Sequence, residues 1–175
     1  MWTSTRTRAS SASPRSRAAQ AADAGAIARV YNEGIEDRLA TFETEPRSAD
    51  DVVGWLDAGF PLVVVEDGHE VVAWASAPPY SDRKACEGVR DFSVYVARER
   101  RGHGFGKLAM EALAAECGRR GYWKLVSRVF PENQASLALC RALGFRDVGV
   151  YHRHAKLDGE WRDCLIVELL LSSSF

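Results

Sequence analysis

The segment Val94-Tyr95-Val96-Ala97-Arg98-Glu99-Arg100-Arg101-Gly102-His103-Gly104-Phe105-Gly106-Lys107 constrains this chain more than any other. Its β-branched and aromatic start reads as a strand. A basic turn follows, then three glycines at alternate positions, then an apolar-periodic stretch. The order is strand, turn, helix. Glycine lacks Cβ, so it reaches positive φ and lets backbone N–H groups approach a ligand, while a helix start adds the positive end of its dipole. Such a turn suits a pyrophosphate. Two nucleotide patterns fail on spacing. A dinucleotide fingerprint needs G-x-G-x-x-G after the first strand and a later acid for the ribose, whereas this chain carries G-x-G-x-G in mid-sequence. A P-loop needs G-x-x-x-x-G-K-[ST]. Counting back from Gly106-Lys107 puts Arg101 at the first glycine and Leu108 at the hydroxyl residue. A bare glycine-rich turn is the plain alternative, but it seldom needs three glycines beside a pair of arginines.

On either side of the turn, helical and strand periodicities alternate. Ile27, Val30 and Tyr31 fall at i, i+3 and i+4 and predict a first helix behind Asp23. Ser48-Ala49-Asp50-Asp51 resembles a capping box with Asp in place of Glu, opening a short helix through Val52, Val53, Trp55 and Leu56. Residues 61–66 are an apolar run, Asp67-Gly68 is a hairpin signal, and residues 70–77 are the return strand. Residues 78–90 read as an irregular polar connection and 91–97 as a third strand. Residues 106–119 predict a helix ended by Gly121, and 125–129 a strand. Residues 134–143 predict a helix capped by Asn133 and stopped by Gly144. A last hairpin runs over 148–155, turns at Asp158-Gly159 and returns over 161–170. The fold class is α/β, a central mixed sheet with helices on both faces.

Residues 1–17 differ from the rest. They hold Arg6, Arg8, Arg15 and Arg17, many Ser and Thr, and no acid before Asp23. The expectation is an Arg/Ser-rich extension that does not fold, with residues 18–172 as a single domain. An Arg/Ser-rich transit peptide is the competing reading. A length of 175 residues suits one domain with a real core. The net charge of −1 gives no global attraction to nucleic acid or to a membrane surface. No apolar run approaches the ~18 residues of a membrane span. Cys86, Cys117, Cys140 and Cys164 are widely spaced without a C-x-x-C pair, which fits reduced thiols in a cytoplasmic protein better than disulfides or zinc. His152 and His154 would share one strand face, but no third ligand lies nearby, so no metal is expected.

Arg101-x-x-Gly104-x-Gly106 resembles motif A of the GNAT superfamily of N-acetyltransferases, whose pattern is R/Q-x-x-G-x-G/A. Pro131-x-Asn133-x-x-Ser136, followed by Leu143-Gly144-Phe145, is similar to the superfamily's second hallmark. Tyr31-Asn32, Thr41-Phe42-x-Thr44-Glu45-Pro46, Val94-Tyr95-Val96 and Gly159-x-Trp161-x-Asp163 resemble the phosphinothricin N-acetyltransferase group over about residues 25–170. The stretches IEDRLATFETEP, DFSVYV and HAKLDGEWRDC are more similar still to members that acetylate arsinothricin, its arsenic analogue. The resemblance implies a GNAT fold and acetyl-CoA as cosubstrate. Backbone groups of Arg101, Gly102, His103, Gly104, Phe105, Gly106 and Lys107 would hold the pyrophosphate. Val94, Tyr95 and Val96 would hold the pantetheine arm, which Asn133 would also touch. Strands 91–97 and 125–129 would splay apart to admit the cosubstrate. The family's first strand corresponds to residues 14–19, whose propensity suits a short or edge strand. A homodimer is implied as well.

The implied reaction is direct acetylation of the α-amino group of a small amino acid analogue, without an acyl-enzyme. Amine acetylation needs a neutral amine, so a carboxylate or ordered water must take a proton. The resemblance places the family's acidic residue on Asp91. A free Asp has a pKa of about 3.9, burial would raise it, and the adjacent Arg90 would lower it. A local ion pair at the start of a strand is the alternative for Asp91. Cys140 stands where relatives carry Tyr or His as general acid. A thiol of pKa about 8.5 is chemically able to donate to a CoA thiolate, and inert packing is the alternative. Phe42 resembles a pocket aromatic. Arg83 and Arg90 are candidate partners for an anionic tail, because the guanidinium fork matches two oxygens. A solvated surface arginine is the alternative for Arg83. Other acceptors, such as methionine sulfoximine or a polyamine, stay open, although residues 83–90 lean basic against a polyamine. A non-catalytic acetyl-CoA-binding sensor is the alternative from another class.

Overall fold

The computed structural model describes residues 13–171. Its elements in chain order are β1 (Arg15–Ala18), α1 (Ala24–Glu36), α2 (Ala49–Asp57), β2 (Leu62–Asp67), β3 (Glu70–Ser76), β4 (Val89–Asp91), β5 (Ser93–Val96), α3 (Phe105–Arg119), β6 (Lys124–Val129), α4 (Gln134–Ala142), β7 (Arg146–Leu157) and β8 (Glu160–Leu170). The strands make two four-stranded sheets, in the orders β1-β2-β3-β5 and β4-β6-β8-β7. The pairing of β4 with β6 is parallel, and the other pairings are antiparallel. Among the described residues, no helix is long and apolar enough to cross a membrane.

β2 and β3 read as nearly unbroken apolar runs because both faces of their sheet are covered. Val63 and Val65 pack with Ala109, Met110 and Leu113 of α3. Leu62 and Val64 face the other way, onto Ile27 and Val30 of α1. The caps follow local chemistry. Asp51 N–H donates to Ser48 Oγ at 3.2 Å while Ser48 N–H donates to Asp51 Oδ2 at 2.7 Å, so the box closes in both directions. Ser136 N–H donates to Asn133 Oδ1 at 3.1 Å, which caps α4.

Three expectations are corrected. Composition predicts an unfolded extension through residue 17, but Arg15–Ala18 is a strand at the edge of the first sheet, paired with Val63–Glu66, as the resemblance over residues 14–19 implied. Its arginines are matched by acids from elsewhere. Arg17 Nη1 and Nη2 donate to Asp23 at 2.7 and 2.8 Å, and Arg15 Nε donates to Glu66 at 2.8 Å. Residues 1–12 of the expected extension lie outside the described residues. The single strand predicted over 91–97 is two strands, broken at Phe92. The Phe92 ring is buried against Phe145, with centroids 4.9 Å apart, and its N–H donates to Val126 O at 2.9 Å. Beyond that bond the chain leaves β6 and joins β3, which makes two sheets of the expected single one. The third is the strict alternation expected to put His152 and His154 on one strand face, which β7 interrupts between them. The register shifts between Tyr151 and Ala155, Arg153 sits at φ 49, and His152 Nδ1 lies 2.9 Å from Asp163.

Candidate active site

The divergence of β5 from β6 opens a cleft of about 650 Å³. One end is the glycine turn and the start of α3. The other end holds Asp91, Arg128 and the loop through Phe42. Strand alternation decides which backbone groups face the gap. Ala97 N–H donates to Val72 O of β3 at 2.8 Å, so alternate residues turn their polar backbone away from β3. Val94 and Val96 therefore present their N–H and C=O groups to the cleft. Arg101 Nε donates to Val96 O at 3.2 Å, as this orientation requires.

The glycine turn has a different reason at each position. Gly102 and Gly104 sit at φ 78 and 85, where side chains are strained. Gly106 has ordinary helical geometry but no room: a Cβ there would lie 3.3 Å from Leu139 Cδ2 and 3.4 Å from Val96 Cγ2. α3 starts at Phe105, and the first N–H groups of a helix lack intrahelical partners. Arg101 and Lys107 add positive charge and line the cleft. These features fit a pyrophosphate. Asp37, at the end of α1, accepts from Arg101 Nη1 at 2.6 Å and Arg98 Nη2 at 2.8 Å. Burial pushes the Asp37 carboxyl up, but those two guanidinium groups outweigh it and leave it below the ordinary carboxylate value.

Asp91 ends β4 and lines the cleft. It pairs in register with Val126, so Arg128, two residues along β6, shares its face. The Arg128 guanidinium donates to the Asp91 carboxylate. Burial pushes the Asp91 pKa above the ordinary carboxylate value, and Arg128 opposes that rise without cancelling it. The rise makes Asp91 a better proton acceptor than an ordinary exposed carboxylate.

Val94, Tyr95, Val96, Arg101, Gly102, Gly104, Gly106, Lys107, Asn133, Phe42 and Asp91 all line the cleft. Tyr95 lines the cleft, but the same alternation turns its N–H and C=O toward β3, opposite Trp74, so its backbone is not free to hold the pantetheine arm. Its ring is buried beside Trp74, with centroids 5.0 Å apart, and burial pushes its hydroxyl pKa up. The Phe42 ring stands edge-on to Phe130 at 4.8 Å. The side chain of His103 is exposed and that of Phe105 is buried in the core, and neither residue lines the cleft.

Three side chains expected in the site are elsewhere. Arg90 is 6% exposed, donates from Nε to Ala77 O at 2.8 Å, and lies 4.3 Å from the centre of the Tyr122 ring. Neighbours in a strand face opposite sides, so with Asp91 in the cleft Arg90 must face the core. Cys140 is 1% exposed and packed in the core. Burial pushes its thiol up to about 11, a poor donor as well as an unreachable one. Arg83 is exposed just before the turn Lys84–Cys86 and does not line the cleft. Arg128 and Asp37 line the cleft without having been singled out in the sequence, whereas Thr41 and Ser136 stood there only as parts of motifs. The signal for Arg128 was strand parity with Asp91.

Among the described residues, no group of three or more His, Cys, Asp or Glu side chains is placed to hold a metal ion. The model of the Acetyltransferase (GNAT) family matches residues 27–145. The L-amino acid N-acyltransferase MnaT of Escherichia coli (strain K12) is 30% identical over 162 residues, 89% of this chain and 92% of that protein. The L-methionine sulfoximine/L-methionine sulfone acetyltransferase of Pseudomonas paraeruginosa is 31% identical over 163 residues, covering 89% and 93%. The crystal structure of a GNAT superfamily phosphinothricin acetyltransferase from Sinorhizobium meliloti in complex with acetyl-CoA superposes with a TM-score of 0.84 at 28% identity, covering 91% of this chain and 89% of that one.

Proposed function

The chain belongs to the GNAT family of acetyltransferases, and from that we propose that it transfers the acetyl group of acetyl-CoA to the α-amino group of a phosphinothricin- or arsinothricin-like amino acid. One observation carries the reading: a single cleft joins a glycine cradle to a partly buried carboxylate, Asp91. Gly102, Gly104, Gly106 and the first N–H groups of α3 hold the pyrophosphate, with Arg101 and Lys107 balancing its charge. Val94 and Val96 hydrogen-bond the pantetheine arm through backbone groups that β3 leaves free, and Asn133 reaches it from the start of α4. Acetyl-CoA supplies the activated thioester. Asp91 takes the proton that the acceptor ammonium must lose. The Val94 N–H is a fixed donor for developing negative charge. Among the described residues, no cysteine or histidine lines the cleft, which supports direct transfer over an acyl-enzyme.

The acceptor class rests on the relatives, one named for phosphinothricin and one for L-amino acids. Methionine sulfoximine is a second reading, favoured by the relative named for it. The protein works in the cytoplasm, in keeping with four free cysteines. It pairs with a second copy through β7, an edge strand whose Val148, Val150 and Tyr151 are 46%, 42% and 53% exposed. The test is a thiol-release assay with acetyl-CoA and a panel of phosphinothricin, arsinothricin, methionine sulfoximine and putrescine. Release should depend on an amino acid acceptor. Binding of CoA with no release from any acceptor would mark a sensor instead.

A further inference from the structure

We infer that Arg128 is the receptor for the acceptor's α-carboxylate, and so the residue that restricts this site to α-amino acids over simple amines. The inference rests on the N-acetyltransferase reading above and concerns the opposite end of the cleft from the glycine cradle. Among the described residues, three cationic side chains line the cleft: Arg101, Lys107 and Arg128. Arg101 is tied to Asp37 at 2.6 Å, and Lys107 lies 3.8 Å from Glu111, both at the glycine end. Arg128 therefore supplies the positive charge at the Asp91 end. Arg83 and Arg90, the arginines that the sequence suggested, do not line the cleft.

The position of Arg128 selects which anionic group it meets. Register puts it on the same sheet face as Asp91, and its guanidinium already touches the Asp91 carboxylate. Its side chain is 40% exposed and lines the cleft, and among the described residues that contact is its one side-chain hydrogen bond. A guanidinium has five N–H donors, so most of the fork is available. In an α-amino acid the ammonium nitrogen and the carboxylate carbon are two bonds apart, about 2.5 Å. A ligand whose ammonium meets Asp91 thus brings its carboxylate beside Arg128 with no rearrangement of either side chain. The protein's ion pair is the charge complement of a zwitterion. A simple amine would satisfy Asp91 and leave Arg128 with nothing. An arginine fork on a carboxylate is a strong, geometrically specific contact.

The test compares wild type with Arg128→Gln, using phosphinothricin and its α-carboxamide. Two readouts are taken: dissociation constants by calorimetry without acetyl-CoA, and KM and kcat from thiol release. Wild type should prefer the acid. In Arg128→Gln the dissociation constant and KM for the acid should rise roughly 10- to 100-fold, as for a lost charged hydrogen bond. Those for the carboxamide should stay within about twofold, so the preference vanishes. Thermal unfolding of the half-exposed variant should match wild type, and Arg128→Lys should recover part of the preference. Equal weakening of acid and carboxamide, or no change in either, would overturn the inference while leaving the acetyltransferase reading intact. A wild type that binds and acetylates no α-amino acid would overturn both.

Discussion

Gly104→Ala and Gly59→Ala make a matched pair that separates backbone strain from ligand binding. Gly104 sits at φ 85 and Gly59 at φ 75, and a Cβ built on either meets no atom within 4 Å. Neither substitution creates a clash. What remains is the cost of holding an L-residue in the left-handed region, about 1–2 kcal/mol. Alanine also narrows the unfolded ensemble, which offsets up to about 1 kcal/mol. Both variants should therefore lose roughly 1 kcal/mol, or about 2–4 °C in melting temperature for a chain of this size. They should part on CoA binding. Gly104 lines the cleft immediately before α3, whereas Gly59 follows α2 and does not line it. A methyl group at the cradle holds the phosphates off the N–H groups, so the dissociation constant for CoA should rise at least about tenfold, the equivalent of about 1.4 kcal/mol. In Gly59→Ala it should not move. Calorimetric titration with CoA, alongside thermal melts, reads both quantities. Gly104→Ala with a lowered melting temperature and wild-type CoA affinity would refute the cradle.

Three further outcomes are expected. Asp91→Asn should lower kcat by about 10²–10⁴-fold with CoA affinity unchanged, as for loss of a general base. In wild type, activity needs the deprotonated Asp91 and is lost as pH falls through its pKa. Burial raises that pKa, so the acid limb of a kcat/KM profile should lie above the ordinary aspartate value. Cys140→Ala should keep wild-type turnover and lose about 1 kcal/mol of stability in urea unfolding, because the thiol fills core space and does not reach the cleft. Asp23→Asn should destabilise by about 1.5–3 kcal/mol, since Asp23 is 7% exposed and accepts from both Arg17 nitrogens. The Arg17 guanidinium holds the Asp23 pKa below its ordinary value. That stability is full above the unfolded carboxylate pKa and is lost as pH falls through the folded one, so wild type and variant should converge in acid.

Features set by local chemistry were legible in the sequence. The glycine turn, the Ser48 and Asn133 caps and the β2–β3 hairpin each depend on residues a few positions apart; the first three form where their patterns predict, and the hairpin turns at Gly68-His69, one residue beyond its Asp67-Gly68 signal. β1 forms as an edge strand where the resemblance put the first strand, at residues 14–19, but composition alone pointed to an unfolded extension there, because the acids that neutralise Arg15 and Arg17 stand up to 51 residues away. The break at Phe92 was hidden because both halves of 91–97 are strand-like, and what separates them is a buried ring and a hydrogen bond to β6. At the site, identity was easier to read than facing. Naming both Arg90 and Asp91 conflicts with strand parity, and the same parity, carried across β6, leads to Arg128. Cys140 shows the same limit on a helix: its neighbour Leu139 lines the cleft while it is buried in the core.

The central claim is that this cleft moves an acetyl group from acetyl-CoA straight to an α-amino nitrogen. A single-turnover incubation with acetyl-labelled acetyl-CoA and phosphinothricin, resolved by mass spectrometry, tests it most directly. The label should appear on the acceptor nitrogen, with one free CoA thiol per acetyl group moved and none on the protein at any time. Label held covalently by the protein, or left on CoA while the acceptor is unmodified, would contradict it.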